Sequence, residues 1–188
     1  MERKKLPTFV CIPLLTLSLS GLAGEQVNES RPALQESFVT IINTRGELNI
    51  VGWNENEVSI EGELDDLADK LIFEIDGNRV LIEVKLPRSN ISWGDGSNLE
   101  ISIPRNSRLS VTGISADIDV SQIEGGVRIK SVSGELVLNE SKERSFLSTV
   151  SGDITVGDTT GVLKVNSVSG DIEVDNHQGS IDVESVSG

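Results

Sequence analysis

Four carboxylates return at one fixed interval in the second half of this chain: Asp117, Glu135, Asp153 and Asp171, each 18 residues after the last. Two carboxyl groups held about 5 Å apart can serve as the acid and the nucleophile of a retaining glycosidase, and a row of them can attract a cation. Here the spacing recurs at every level, and no Arg, Lys or His column runs beside it. Catalysis asks for two carboxyls in unlike surroundings, whereas a ladder of equals only repels itself. The preferred reading is a solvent-facing ladder that discourages edge-to-edge association and favours solubility. A weak cation site ranks second and catalysis last.

The other candidates are weaker. His177 stands in the polar stretch Asp175-Asn176-His177-Gln178-Gly179 with no cysteine to help it hold a metal; it reads as an exposed turn residue. Calcium β-rolls signal themselves with Gly-Gly-x-Gly-x-Asp, but the one Gly-Gly here, Gly125-Gly126, is followed by Val127 and Arg128. Ser115, Ser133, Ser151, Ser169 and Ser187 fall in repeat columns, and none sits in a Gly-x-Ser-x-Gly elbow. Trp53 and Trp93 lie outside the repeats. Trp93, in a Gly-rich loop, could stack on a sugar, though capping the end of the core is preferred. No catalytic, cofactor-binding or metal-binding residue is assigned, no cofactor is expected, and the chain reads as a non-enzyme.

The elements that place these residues follow from a four-residue phrase. Ser131-Val132-Ser133-Gly134 returns as Thr149-Val150-Ser151-Gly152, Ser167-Val168-Ser169-Gly170 and Ser185-Val186-Ser187-Gly188. An unbroken period of this length marks a solenoid, in which one coil buries its apolar face only when the next stacks on it. Ala116, Gly134, Gly152, Gly170 and Gly188 share one column. Ile114, Val132, Val150, Val168 and Val186 stand two positions before it, with Ile118, Leu136, Ile154 and Ile172 two positions after. Read with period two, these are one buried strand face. A second strand carries Val127 with Ile129, Leu163 with Val165, and Ile181 with Val183. The buried parity changes between the strands, so each coil has a corner. The glycine column is expected where a Cβ has no room or φ is positive. Ser141-Lys142-Glu143-Arg144-Ser145 breaks the pattern and is expected to bulge.

Upstream, runs of strand length and composition occupy 38–42, 48–50, 58–60, 71–75, 80–84 and 99–103. Asp76-Gly77-Asn78 is a hairpin turn, 64–70 has room for a turn or two of helix, and 25–36 reads as a flexible leader. The first 24 residues have the form of a secretory signal. Arg3, Lys4 and Lys5 precede an apolar run broken by Pro13, with Gly21-Leu22-Ala23 before the cleavage point. The run is too short for a transmembrane helix. Cys11, the lone cysteine, lies within it, so the mature chain has no disulfide. That mature chain holds 29 acidic and 13 basic residues, a balance that repels phosphate backbones. With no Tyr and few aromatics there is no stacking platform either, and nucleic acid is excluded as a partner.

The strand at 101–103 ending in Pro104, then Leu109-Ser110-Val111, then Ser151-Gly152-Asp153-Ile154 and Ser169-Gly170-Asp171-Ile172 together resemble the bacterial putative-adhesin β-strand-repeat family. That resemblance spans about 38–188. It implies a β-helix-like solenoid in an exported envelope protein, with no family catalytic residues to carry over.

The fold expected is all-β: an irregular antiparallel N-terminal portion over 37–108 capping a right-handed parallel β-helix of 18-residue coils over 109–188. The function expected is a non-catalytic envelope or surface scaffold, in the periplasm or on the cell surface, offering a face to a protein or a glycan. A carbohydrate-active β-helix enzyme and an envelope-stress sensor are the alternatives. The last strand has no coil to cover it, so either the natural protein continues or this end self-associates.

Overall fold

A computed structural model describes residues 24–87 and 96–188. The expected export signal, Cys11 and Trp93 lie outside the described residues. Sixteen strands follow in chain order. The first seven are β1 (Gln26–Pro32), β2 (Phe38–Ile42), β3 (Arg45–Trp53), β4 (Glu57–Glu63), β5 (Lys70–Asp76), β6 (Arg79–Lys85) and β7 (Ser97–Pro104). Then come β8 (Arg108–Thr112), β9 (Ser115–Ser121), β10 (Val127–Lys130), β11 (Leu136–Asn139), β12 (Arg144–Ser151), β13 (Ile154–Gly157), β14 (Thr160–Ser169), β15 (Ile172–Asp175) and β16 (Gln178–Ser187). The protein is all-β, and no helix forms among the described residues.

Two eight-stranded sheets enclose one core. The first runs β1-β4-β7-β3-β9-β11-β13-β15 and the second β5-β6-β2-β8-β10-β12-β14-β16. From β8 onward the chain alternates between them, and like residues pair in parallel. Ile118 lies opposite Leu136, Leu136 opposite Ile154, and Ile154 opposite Ile172. Their inward side chains are fully buried as far as Ile154, as are Ile129, Leu147 and Leu163 on the facing sheet. At the far end Ile172 is half-buried and Ile181 exposed.

The N-terminal portion is less antiparallel than its sequence predicts. Antiparallel pairing is confined to β1·β4, β4·β7 and β5·β6. The strands β2, β3, β6 and β7 pair in parallel, so β2–β3 and β6–β7 stack as further coils on the repeats. Their spacing follows no sequence period, which is why they do not read as coils. The expected leader is also a strand: β1 pairs with β4 from Gln26 opposite Glu63 to Pro32 opposite Glu57. Only Val27 of β1 is buried, so main-chain hydrogen bonds hold this strand and its side chains show no alternation.

Residues 64–69, where a helical turn was expected, pass between the two sheets and close that end of the core with Leu64. Asp65 anchors the crossing. Its carboxylate is 1% exposed and takes a bidentate pair from Arg45, one arm at 3.0 Å, together with the Leu67 amide at 2.8 Å. The Asp65 amide donates to Ser97 Oγ at 3.0 Å. The hydrogen bonds from Arg45 hold the Asp65 carboxyl below its ordinary range, outweighing burial, which pushes the other way.

The corners correct one assignment. Val132 and Val150 do not face the core; they are 48% and 49% exposed, as Ile114 and Val168 also are. The buried member of each phrase is its first residue, Ser131, Thr149 or Ser167. The incoming strand keeps its parity through these positions, from Leu147 to Thr149 for example, and turns only at the glycine. At Gly134 φ is +104°, and a Cβ there would stand 2.4 Å from the Ala116 carbonyl oxygen. Both expected reasons for the glycine column therefore apply. The inward hydroxyls satisfy corner carbonyls: Ser131 Oγ donates to the Ser133 carbonyl at 2.8 Å, and Ser167 Oγ to that of Ser169 at 3.2 Å.

Candidate functional site

The two outer faces of the molecule carry opposite chemistry. On the first sheet, β9, β11, β13, β15 and the residues just before them project Asp117, Asp119, Glu135, Asp153, Asp171 and Glu173 to solvent, and no Lys or Arg. The ladder that opened the sequence reading is therefore real and exposed. It also has a structural task. Asp117 Oδ1 accepts the Glu135 amide at 2.8 Å, and Asp153 Oδ1 accepts the Asp171 amide at 2.9 Å. Each such carboxylate satisfies a backbone donor of the next coil where the chain leaves the corner.

His177 is not a free turn residue. It continues the inward column of Ile123, Ser141 and Thr159, all buried, and its Nδ1 lies 3.0 Å from Thr159 Oγ1. Trp53 ends β3, half-buried, and donates from Nε1 to the Glu57 carbonyl at 2.8 Å. The position before His177 belongs to a left-handed column, Gln122, Glu140, Asp158 and Asn176, with φ of 60°, 50°, 50° and 51°. The broken coil places Glu143 at φ +64°, level with Gly161 at +99°.

In the middle of the second sheet the outward positions are basic and aromatic, whereas Glu74, Glu83, Asp182 and Glu184 lie outward on the flanking strands β5, β6 and β16. Alternation in β2 and β8 turns Val39, Ile41, Leu109 and Val111 inward, which leaves Phe38 and Arg108 outward and directly paired. Arg79 pairs with Phe38 on the other side. One residue pair further along, Arg128 lies between Ser110 and Phe146, and Phe146 pairs with Lys164. Two guanidinium groups lie over rings: Arg108 is 5.4 Å from the Phe38 centroid and Arg128 4.9 Å from that of Phe146. Gly126 has no side chain to fill the row between Arg108 and Arg144, and an open groove of about 740 Å³ results. Phe38 and Val162, both over 40% exposed, flank it. Glu143 is its one acidic lining residue.

The distribution of ion pairs sharpens the contrast. Among the described residues, Arg31, Arg45, Lys85, Arg105, Lys142 and Lys164 each lie within ion-pair distance of a carboxylate. Hydrogen bonding from Lys142 lowers the Glu124 carboxyl, and hydrogen bonding to Asp182 raises the Lys164 ammonium. The remaining described cations, Lys70, Arg79, Arg108, Arg128, Lys130 and Arg144, have no such carboxylate. All six sit at outward positions of the second sheet. The sequence reading missed this face because on the second strand it followed only the apolar, inward columns. The column Arg108, Gly126, Arg144, Val162 was available to it.

Among the described residues no helix is long and apolar enough to cross a membrane. No protein of curated function matches the sequence. The fold is similar to that of a putative cell adhesion protein from Clostridium sporogenes ATCC 15579, at 12% identity and a TM-score of 0.50, over 86% of this chain and 100% of that one. A putative adhesin from Parabacteroides distasonis ATCC 8503 matches at 12% identity and a TM-score of 0.36, over 87% and 98% of the two chains. A putative lipid binding protein from the same organism matches at 12% identity and 0.27, over 87% and 97%. Such identities speak to the fold alone. The family model described as Toastrack DUF4097 matches residues 33–188, so the chain belongs to that family.

Proposed function

We propose that this protein is a non-catalytic scaffold, exported to the periplasm or the cell surface, whose right-handed solenoid of 18-residue coils presents the second sheet's outer face to an envelope protein or glycan. One observation carries this reading: the cations without a carboxylate partner are gathered on that face, in a chain where acids outnumber bases about two to one. An exposed Arg or Lys in such a chain would ordinarily find a carboxylate nearby. Six that do not, set among Phe38, Phe146 and Val162, have the composition of a recognition surface rather than of a solvated one. The corners are too short to wall a cleft, and Glu143 stands alone in the groove without a second carboxyl to share acid and base roles. These features favour a scaffold over a carbohydrate-active enzyme.

The test is co-sedimentation of the purified mature chain with washed envelope from the native host. Retention is expected to fall at least tenfold in an Arg108→Glu/Arg144→Glu variant and to be unchanged in Glu100→Gln/Glu173→Gln on the opposite face. Equal retention of all three proteins would overturn the assignment of the face.

A further inference from the structure

From the same face, and resting on the reading above, we infer that the groove takes a linear acidic polysaccharide whose sugar rings carry carboxylates. The argument begins with charge. Stacked sheets lie about 10 Å apart, and the Debye length at physiological salt is about 8 Å. A chain lying on the second sheet is thus largely screened from the acidic ladder on the first, and the net charge of -14 does not describe what it meets. It meets Arg79, Arg108, Arg128 and Arg144, with Glu143 lining the groove and Glu36 and Glu124 beside the Phe38 and Arg108 end.

Geometry narrows the class of anion. The cations are distributed across the strands rather than along one of them, on β6, β8, β10 and β12. A ligand that engages them runs perpendicular to the strands, crossing one about every 4.8 Å. A chain of pyranose rings, each about as long as that spacing, brings a carboxylate to successive strands. Duplex nucleic acid carries a charge about every 1.7 Å and is too dense for this ladder. An extended peptide recognised by its backbone would add to a sheet edge instead of crossing a face.

The side chains fit carboxylates on rings. Guanidinium groups bind carboxylate in a bidentate fork. The gap over Gly126, between Arg108 and Arg144, admits a ring substituent where any side chain would block it. Phe38 and Phe146 offer apolar ledges to the C–H faces of sugars. Arg108 and Arg128 lie across those rings, so the phenyl groups rest along the sheet and do not project as wedges. A lipid surface is the less apt partner, because membrane insertion needs an apolar face that reaches past the charges.

The test is calorimetric titration of the mature chain with a hexamer of 1,4-linked galacturonate. Binding is expected to weaken at least tenfold when the hexamer is fully methyl-esterified, and at least tenfold in an Arg108→Gln/Arg144→Gln variant. Arg128→Gln, a single exposed change, is expected to weaken it about threefold, and Glu100→Gln/Glu173→Gln to leave it unchanged. Thermal melts of each variant identify any that fails to fold. Equal affinity for hexaglutamate would show a site for any polyanion, and equal or tighter binding to phosphatidylglycerol vesicles would show a lipid site; either result overturns the inference. If the uronate hexamer does not bind while envelope retention still depends on Arg108 and Arg144, the polysaccharide assignment falls and the face assignment stands. If retention ignores those arginines, both fall.

Discussion

From Arg108 onward the strands follow one another in space as they do in the chain, and Val127 pairs with Ser145 just 18 residues away. Before Arg108 the order along the second sheet is β5, β6, β2, and Val39 pairs with Leu109 across 70 residues. Both regions build the same two-sheet cross-section, one from neighbours and one from distant partners. Loop closure costs about 0.6 kcal/mol per doubling of length, so the longer closure is dearer by about 1.2 kcal/mol. The repeat region tolerates an all-polar corner because each coil needs only its neighbours. The N-terminal region adds something the repeats lack: a buried ion pair, Arg45 with Asp65, tying the crossing segment to β3 and β7.

The sharpest way to break that comparison is to remove the tie. Asp65→Ala takes away a buried carboxylate that holds the Arg45 guanidinium and the Leu67 amide, and is expected to cost about 3–5 kcal/mol in chemical denaturation. The pair also sets an acid limit. The folded carboxyl lies below its ordinary value of 3.8, so its stabilisation is fully present above that value and is lost as pH falls through the lower folded value. The gap between wild type and Asp65→Asn is expected to stay constant from neutrality down to about pH 5 and to close below it. A gap that closes near neutrality would mean that another group sets the acid response.

Within the repeats the comparison is between two apolar columns of the same coil. Ile154 is buried, whereas Val150 is about half exposed. Ile154→Ala is expected to cost about 2–4 kcal/mol and Val150→Ala under about 0.5. Equal costs would return the valines to the core.

That pair of residues shows what the sequence conceals. The apolar runs upstream are legible as strands because their own alternation marks them, and Gly77 with Asn78 marks the turn between β5 and β6. The repeat period is legible because coil stacking places identical residues in one environment. The facing of Val150 is not, since the alternation of residue types runs on through Gly152 although the backbone turns there. β1 is hidden because one buried side chain makes no pattern. The basic face is hidden by arithmetic, because a net charge averages over two sheets that segregate their charges.

A third substitution compares the irregular coil with its siblings. Glu143 holds φ +64° where Gly161 holds +99°. Glu143→Gly removes the left-handed strain of a residue with a Cβ but adds freedom to the unfolded chain, and is expected to stabilise by about 0.5–1 kcal/mol. A loss of stability would mean that the Glu143 side chain contributes more than its backbone costs.

The smallest effect separates the two tasks of the acidic ladder. Asp153 repels the carboxylates stacked above and below it, yet its Oδ1 accepts the Asp171 amide at 2.9 Å. Asparagine keeps an oxygen at that position and removes the charge, whereas alanine removes both. If the hydrogen bond matters more than the repulsion, Asp153→Ala is destabilising by about 1 kcal/mol, while Asp153→Asn is stabilising by a few tenths. Added monovalent salt screens the repulsion in the wild type and is expected to narrow its gap to the asparagine variant. Calcium and magnesium at equal concentration are expected to raise the melting temperature alike, because screening depends on charge and not on coordination geometry. A calcium-specific rise that Asp153→Asn abolishes would instead make the ladder a cation site, and the outer face of the first sheet would then have a ligand of its own.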